Sequence, residues 1–126
     1  MKKIIFTKNA PAPIGSYSQA TMVNGILYTS GQIAINPKNG ELVMDTIENE
    51  TTQVMKNLKA VLTEVNMTFE NVFKTTIFIS DMKNFSRINA IYSEYFNTKT
   101  APARETVEVA NLPMYVNVEI SVIATK

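Results

Sequence analysis

The chain contains no cysteine, no histidine and no tryptophan. Without cysteine it has no disulfide framework, thiolate nucleophile, zinc ribbon or thiolate-held iron–sulfur cluster. Without histidine it has no Ser–His–Asp triad, no imidazole base and no imidazole-held metal. Its chemistry must rest on carboxylates, Lys, Arg, Tyr, hydroxyls, backbone groups and water. An excess of one charge is also missing: 12 Lys and Arg stand against 11 Asp and Glu. That balance argues against phosphate-driven nucleic-acid binding, which needs a clustered basic excess. No stretch approaches the roughly 20 apolar residues of a transmembrane helix. The opening Met1-Lys2-Lys3-Ile4-Ile5-Phe6 puts lysines before apolar residues, but the run stops at Thr7-Lys8-Asn9. That is far short of a secretory h-region. The expectation is a cytoplasmic protein with no metal or organic cofactor and no nucleic-acid or membrane partner.

What is present fits one domain spanning residues 1–126, long enough to build a core without staples. Ile4–Phe6 is a candidate first strand. Asn9–Gly15 holds two prolines and a glycine and reads as a loop. Asn24-Gly25 separates two apolar-rich runs, Ser16–Val23 and Ile26–Ile35, which predicts a hairpin with a type I′ turn. Ile47, Val54, Leu58, Val61, Leu62 and Val65 form a stripe at helical spacing, with Asp45 or Thr46 as the cap. Val72–Ser80 is β-branched and aromatic and reads as a strand. Phe85, Ile88, Tyr92, Tyr95 and Phe96 predict a second helix, entered through Asp81. Ala103–Ala110 and Val116–Ala124 alternate as strands. The order β-ββ-α-β-α-ββ, with one apolar stripe per helix, predicts an α+β two-layer sandwich: a mixed sheet with two helices on one face.

The other sheet face is expected to carry Asn117, Glu119, Ser121 and Ile123 from the last strand and Lys74, Thr76 and Phe78 from the middle one. It is poor in Lys and Glu for a solvated surface and reads as a subunit interface. That face is expected to hold Glu119 and Arg104. Arg104 follows Pro102-Ala103 at the mouth of a strand, and its planar fork suits a carboxylate. Its ordinary role would be a surface ion pair with Glu105 or Glu108. Glu119 sits mid-strand; if partly buried, it could accept a proton or orient a water. Thr29-Ser30-Gly31-Gln32 interrupts an apolar strand, and Gly31 allows close backbone approach or marks a bulge. Tyr17 is a pocket wall or a core aromatic, and Asn89 a pocket residue or a solvated helix position. There is no phosphate loop, dinucleotide fingerprint or metal-spaced carboxylate cluster.

Taken together, Ala10-Pro-Ala-Pro-Ile-Gly-Ser-Tyr-Ser-Gln19, Tyr28-Thr-Ser-Gly-Gln-Ile33, Asn57-Leu-Lys-Ala-Val-Leu62, Lys74-Thr-Thr-Ile-Phe-Ile79 and Pro102-Ala-Arg-Glu-Thr-Val-Glu-Val-Ala110 resemble the Rid family. These are the reactive intermediate deaminases, also called YjgF-like, and the likeness is to the RidA branch. It spans essentially the whole chain in one order. It implies a chorismate-mutase-like fold assembled as a homotrimer, with ligand pockets between subunits. It also implies hydrolysis of 2-imino acids or their enamine tautomers, such as 2-aminoacrylate, to 2-keto acids and ammonia. The matching positions imply Arg104 for the substrate carboxylate and Glu119 for the water. Tyr17, Ser30 and Asn89 match pocket residues, and Gly31 would offer its N–H.

One position departs: members commonly have Cys two residues after the arginine, and this chain has Thr106. The family residue acts mainly through its backbone carbonyl, which Thr preserves; thiol-dependent regulation is not expected. Imine hydrolysis also suits this composition, because a free imine is already electrophilic and needs positioning more than a strong nucleophile. Two other functions compete. A non-catalytic regulator of small carboxylates would use Arg104 without needing Glu119. An RNA-directed nuclease, also ascribed to some members of the family, would want a basic stretch that the chain lacks.

Overall fold

The computed structural model describes residues 1–126. Six strands, β1 (Lys3–Ile5), β2 (Ala20–Val23), β3 (Ile26–Thr29), β4 (Val72–Ile79), β5 (Ala103–Glu108) and β6 (Val118–Thr125), form one sheet in the order β1-β2-β3-β6-β4-β5. All pairings are antiparallel except β4–β5. A parallel pair needs a crossover, and α2 (Phe85–Ser93) supplies it. With α1 (Ile47–Glu64), it covers one face of the sheet, so the expected α+β sandwich is the fold observed.

Local chemistry explains the boundaries. Asn24 and Gly25 both adopt positive φ, 51° and 78°, and join β2 to β3 with Val23 opposite Ile26. Both residue types tolerate that region, as a type I′ turn demands. Thr46 caps α1 by accepting from the Asn49 N–H at 3.0 Å; such a cap contributes about 1 kcal/mol. Asp45 instead accepts from the Asn49 side chain. Asp81 caps a short 3₁₀ turn, Met82–Asn84, that leads into α2. Across the helix layer, Arg87 of α2 grips Glu48 of α1 through two bonds of 2.8 and 2.6 Å. The guanidinium holds the Glu48 carboxyl down at about 2.

The core lies between the helices and one sheet face. Ile77 and Ile79 of β4 and Val118, Ile120, Val122 and Ala124 of β6 meet Val54, Leu58, Val61 and Leu62 of α1 and Ile88 of α2. The opposite face carries Thr76, Phe78, Ser121 and Ile123, all half-buried, with Tyr28 and Val107 exposed beside them. The return strand is shorter than its apolar run suggests. Regular pairing ends at Thr29, and single bridges follow at Gln32–Ile120 and Ile35–Leu42. Ser30 and Gly31 lie in the break, which opens the sheet beside Glu119.

Candidate functional site

Glu119 pairs in register with Phe78, on the face away from the helices. Its side chain turns over the break in β3 and lines a cavity of about 330 Å³. Tyr17, Ser30 and Gly31 line the same cavity. Ile14, Ile33, Ile35, Pro113 and Met114 add apolar wall, and Gln19 and Gln32 add polar groups. Burial pushes the Glu119 carboxyl above the ordinary carboxylate value, and no protein group donates a hydrogen bond to it. The Gly31 N–H likewise donates to no protein group. An unpaired carboxylate and a free N–H in one cavity can hold a water and a ligand oxygen.

The wall holding Tyr17 is fixed from beneath by Gln19. Its buried amide donates to the Thr7, Ala10 and Pro11 carbonyls and accepts from the Thr7 N–H at 2.7 Å. Ser30 is tied to the same loop, its N–H donating to Gln19 O and its hydroxyl to Ser18 O. The Tyr17 hydroxyl accepts weakly from Ile14 N at 3.4 Å. The other wall is a turn in which Met114 and Tyr115 both adopt positive φ, 55° and 56°. For residues with a Cβ this costs roughly 1–2 kcal/mol each, so the surroundings must hold the turn in place.

Arg104 lies elsewhere, which corrects the expectation that it shares a face with Glu119. It pairs in register with Thr75, a fully buried helix-face residue. Glu119 pairs with Phe78, three positions along β4, so the pleat sends the two side chains to opposite faces. Arg104 Nη1 donates to Asn89 Oδ1 of α2 at 2.6 Å. The guanidinium carbon sits 5.0 Å from the Tyr92 ring centre and 5.6 Å from that of Phe85, within cation–π range. Tyr92 is held in turn by a 2.8 Å bond between its hydroxyl and that of Thr75. Burial raises the Tyr92 phenol, against the opposing pull of Thr75 and Arg104. Neither expected ion pair forms. Glu105 binds Lys74 at 2.8 Å, and Glu108 accepts from the Met82 N–H. The Arg104 fork is therefore oriented by an amide and two rings, with no carboxylate partner.

Thr106 lies beside Arg104 on the same face of β5, its hydroxyl buried without a partner. Val109 N donates to Ile79 O. By alternation, the Thr106 N–H and carbonyl then face the open edge of the sheet. The expected site residues thus fall into two groups. Tyr17, Ser30, Gly31 and Glu119 share a cavity; Arg104, Asn89 and Thr106 gather at the β5 edge. No group of three or more Asp or Glu side chains is placed to hold a metal ion, and no helix is long and apolar enough to cross a membrane. The sequence reading missed Gln19, Glu50 and the role of Phe85 and Tyr92 as a platform. Glu50 was detectable, because a glutamate three residues after Ile47 and four before Val54 interrupts the apolar stripe of α1.

Comparison with known proteins places the chain in a family. Residues 7–126 match the family described as Endoribonuclease L-PSP. A Lactococcus lactis protein provisionally named regulator AldR is 56% identical over 122 residues, covering 97% of this chain and 96% of that protein. The crystal structure of YyfA from Yersinia pestis, a protein of unknown function in the conserved Rid family, is 53% identical. It has a TM-score of 0.96, with all of both chains covered. Escherichia coli TdcF, crystallised with bound serine, is 35% identical with a TM-score of 0.92, over 98% of each chain. The chain thus belongs to the Endoribonuclease L-PSP family, the family of the YjgF and Rid proteins that its sequence resembles.

Proposed function

We propose that this chain hydrolyses small 2-imino acids, and enamines such as 2-aminoacrylate that tautomerise to them, releasing 2-keto acids and ammonia. The sites are shared between neighbouring chains of a homotrimer. The observation that carries this reading is the separation of Arg104 from Glu119. Each has free chemistry, and each half is incomplete. The mixed sheet face, with Tyr28, Phe78, Ile123 and Val107 short of cover, supports a second copy as the missing wall.

In this mechanism the substrate carboxylate docks on the Arg104 fork, which Asn89, Tyr92 and Phe85 hold ready. The neighbour's Gly31 N–H steadies the same end, Ser30 holds that segment against Ser18 and Gln19, and Tyr17 closes over it. The Thr106 carbonyl, at the open edge, accepts from the imine nitrogen. Glu119 orients a water and takes its proton as the oxygen adds to C2. The C=N π pair moves to nitrogen, which takes that proton back from Glu119 to give the neutral carbinolamine. Moving the carbinolamine hydroxyl proton to the amine, again through Glu119, lets the C–N bond break, and ammonia leaves as the oxygen's electron pair forms the carbonyl. Glu119 ends as it began. Its raised affinity for a proton suits both taking and returning one.

The test couples a pyridoxal-phosphate-dependent serine or threonine dehydratase to this protein and follows keto-acid release. Acceleration over spontaneous hydrolysis supports the reading, and an unchanged rate contradicts it. A second reading, a regulator that binds small carboxylates without turnover, is supported by the name of the Lactococcus relative and by the serine bound to TdcF. Such a binder needs Arg104 but has no use for Glu119.

A further inference from the structure

Glu50 is a carboxylate at the start of α1 with no exposure to solvent. It pairs with no cation. Its Oε2 accepts from the Asn117 N–H at 2.8 Å and the Val118 N–H at 3.3 Å, and its Oε1 accepts from Asn117 Nδ2 at 2.7 Å. Placing a carboxylate inside the helix–sheet layer is costly, and apolar replacements of buried charges are often tolerated. Here two of the three donors are backbone N–H groups, which no side-chain substitution removes. Without Glu50 they would be left inside without an acceptor.

The location of those donors matters. Asn117 and Val118 join the Met114–Tyr115 turn to β6. On one side, Pro113 and Met114 form a wall of the Glu119 cavity. On the other, Glu119 is the very next residue after Val118. Asn117 is also tied to β4, its carbonyl accepting from Ser80 N at 3.1 Å. Glu50 therefore pins, from the far side of the sheet, the one point where the strained wall and the strand bearing Glu119 meet.

We propose that Glu50 is a positioning residue for Glu119 and the Pro113–Met114 wall. This rests on the proposed hydrolytic reading for its kinetic consequence, but not for its structural one. Arg104 lies at the β5 edge, outside the Glu50 network. Loss of Glu50 therefore disturbs the water-handling half of the site and leaves the carboxylate-binding half.

The test compares wild type with Glu50→Met, which keeps the stem and removes every acceptor, and Glu50→Gln, which keeps one oxygen without the charge. Hydrogen bonds to charged groups are worth enough that Glu50→Met should lower kcat by about tenfold or more, with KM within about threefold. Glu50→Gln should fall between. Amide exchange at Asn117 and Val118 and across residues 112–116 should quicken by about tenfold, while Ile77 and Ile79 of β4 keep their protection. Unchanged exchange there, uniform loss of protection throughout, or a change in KM alone would overturn the proposal. If Glu50→Met does not fold, the same readouts on Glu50→Gln decide. If wild type hydrolyses no imine, the functional reading fails and the exchange comparison still decides the role of Glu50.

Discussion

The Glu119 side chain lies so close over the Gly31 backbone that a Cβ on Gly31 would stand 2.6 Å from Glu119 Cδ and 2.7 Å from Oε1. Space is the constraint here, since Gly31 is not among the residues of positive φ. Gly31→Ala must therefore displace the carboxylate. The expected outcome is a loss of imine hydrolysis of about tenfold or more, since small misplacements of a reacting group are costly. The melting temperature should change little, because Glu119 can swing toward solvent. Wild-type turnover by Gly31→Ala would contradict this placement of Glu119.

Glu119 also predicts a pH dependence of stability. Burial raises its folded-state value above the ordinary one. Below the ordinary value Glu119 is protonated in both states and carries no penalty. As pH rises through the folded value, the unfolded chain is already ionised while the fold resists ionisation, and stability is lost. Glu119→Gln should raise the melting temperature at neutral pH, and the gain should vanish below about pH 4. Catalysis runs the other way. The ionised form takes the proton from water, so kcat/KM should fall as pH drops through that raised value, and Glu119→Gln should be inactive across the whole range. Thermal melts and rate profiles across pH check both halves.

Arg104→Ala should remove most activity and leave the fold intact, because the side chain is exposed and its contacts are confined to Asn89 and the outer side of the Tyr92 and Phe85 rings. Two charge-assisted bonds to a carboxylate, at about 1.5–3 kcal/mol each, correspond to a loss of at least about a hundredfold. Arg104→Lys should rescue only part, since an ammonium reproduces neither the fork nor the stacking on Tyr92 and Phe85. Circular dichroism with steady-state kinetics makes the comparison. Near-wild-type rates in the alanine variant would remove the carboxylate clamp from the mechanism.

Removing metal should change nothing. The chain has no histidine or cysteine, and its acidic side chains do not cluster. Dialysis against a chelator is expected to leave the imine-hydrolysis rate unchanged. Loss on chelation, with recovery on adding one metal, would overturn the metal-free mechanism.

The legible parts of this fold were those set by local rules. Asn24-Gly25 announced the hairpin, Thr46 the start of α1, and the alternation of Val118, Ile120 and Val122 the covered face. The face of Arg104 was not legible, because β5 is an edge strand and its alternation, Ala103, Glu105 and Val107 against Arg104, Thr106 and Glu108, does not say which side meets the helices. Only its parallel register against β4, with Thr75 opposite Arg104, decides the side, and register depends on tertiary pairing. The break after Thr29 was marked by Ser30-Gly31, but its use as a seat for Glu119 depends on a contact 88 positions away in sequence. Gln19 escaped notice for a similar reason. A polar residue in a weakly alternating stretch does not announce that it holds the Thr7–Pro11 loop.

The central claim is that Arg104 of one chain completes the Glu119 site of another, and co-refolded variants test it most directly. Arg104→Ala and Glu119→Gln chains, each inactive alone, are unfolded, mixed equally and refolded, and mixed trimers are verified by mass. A site pairing an intact Arg104 with a neighbour's intact Glu119 should then form at about one quarter of the interfaces of a closed ring. Activity should recover to about a quarter of wild type. Tyr17→Ala, from the Glu119 cavity, should complement Arg104→Ala in the same way. Asn89→Ala, whose side chain binds Arg104 itself, should not. A monomer by light scattering, or verified mixed trimers with no recovered activity, would contradict the account.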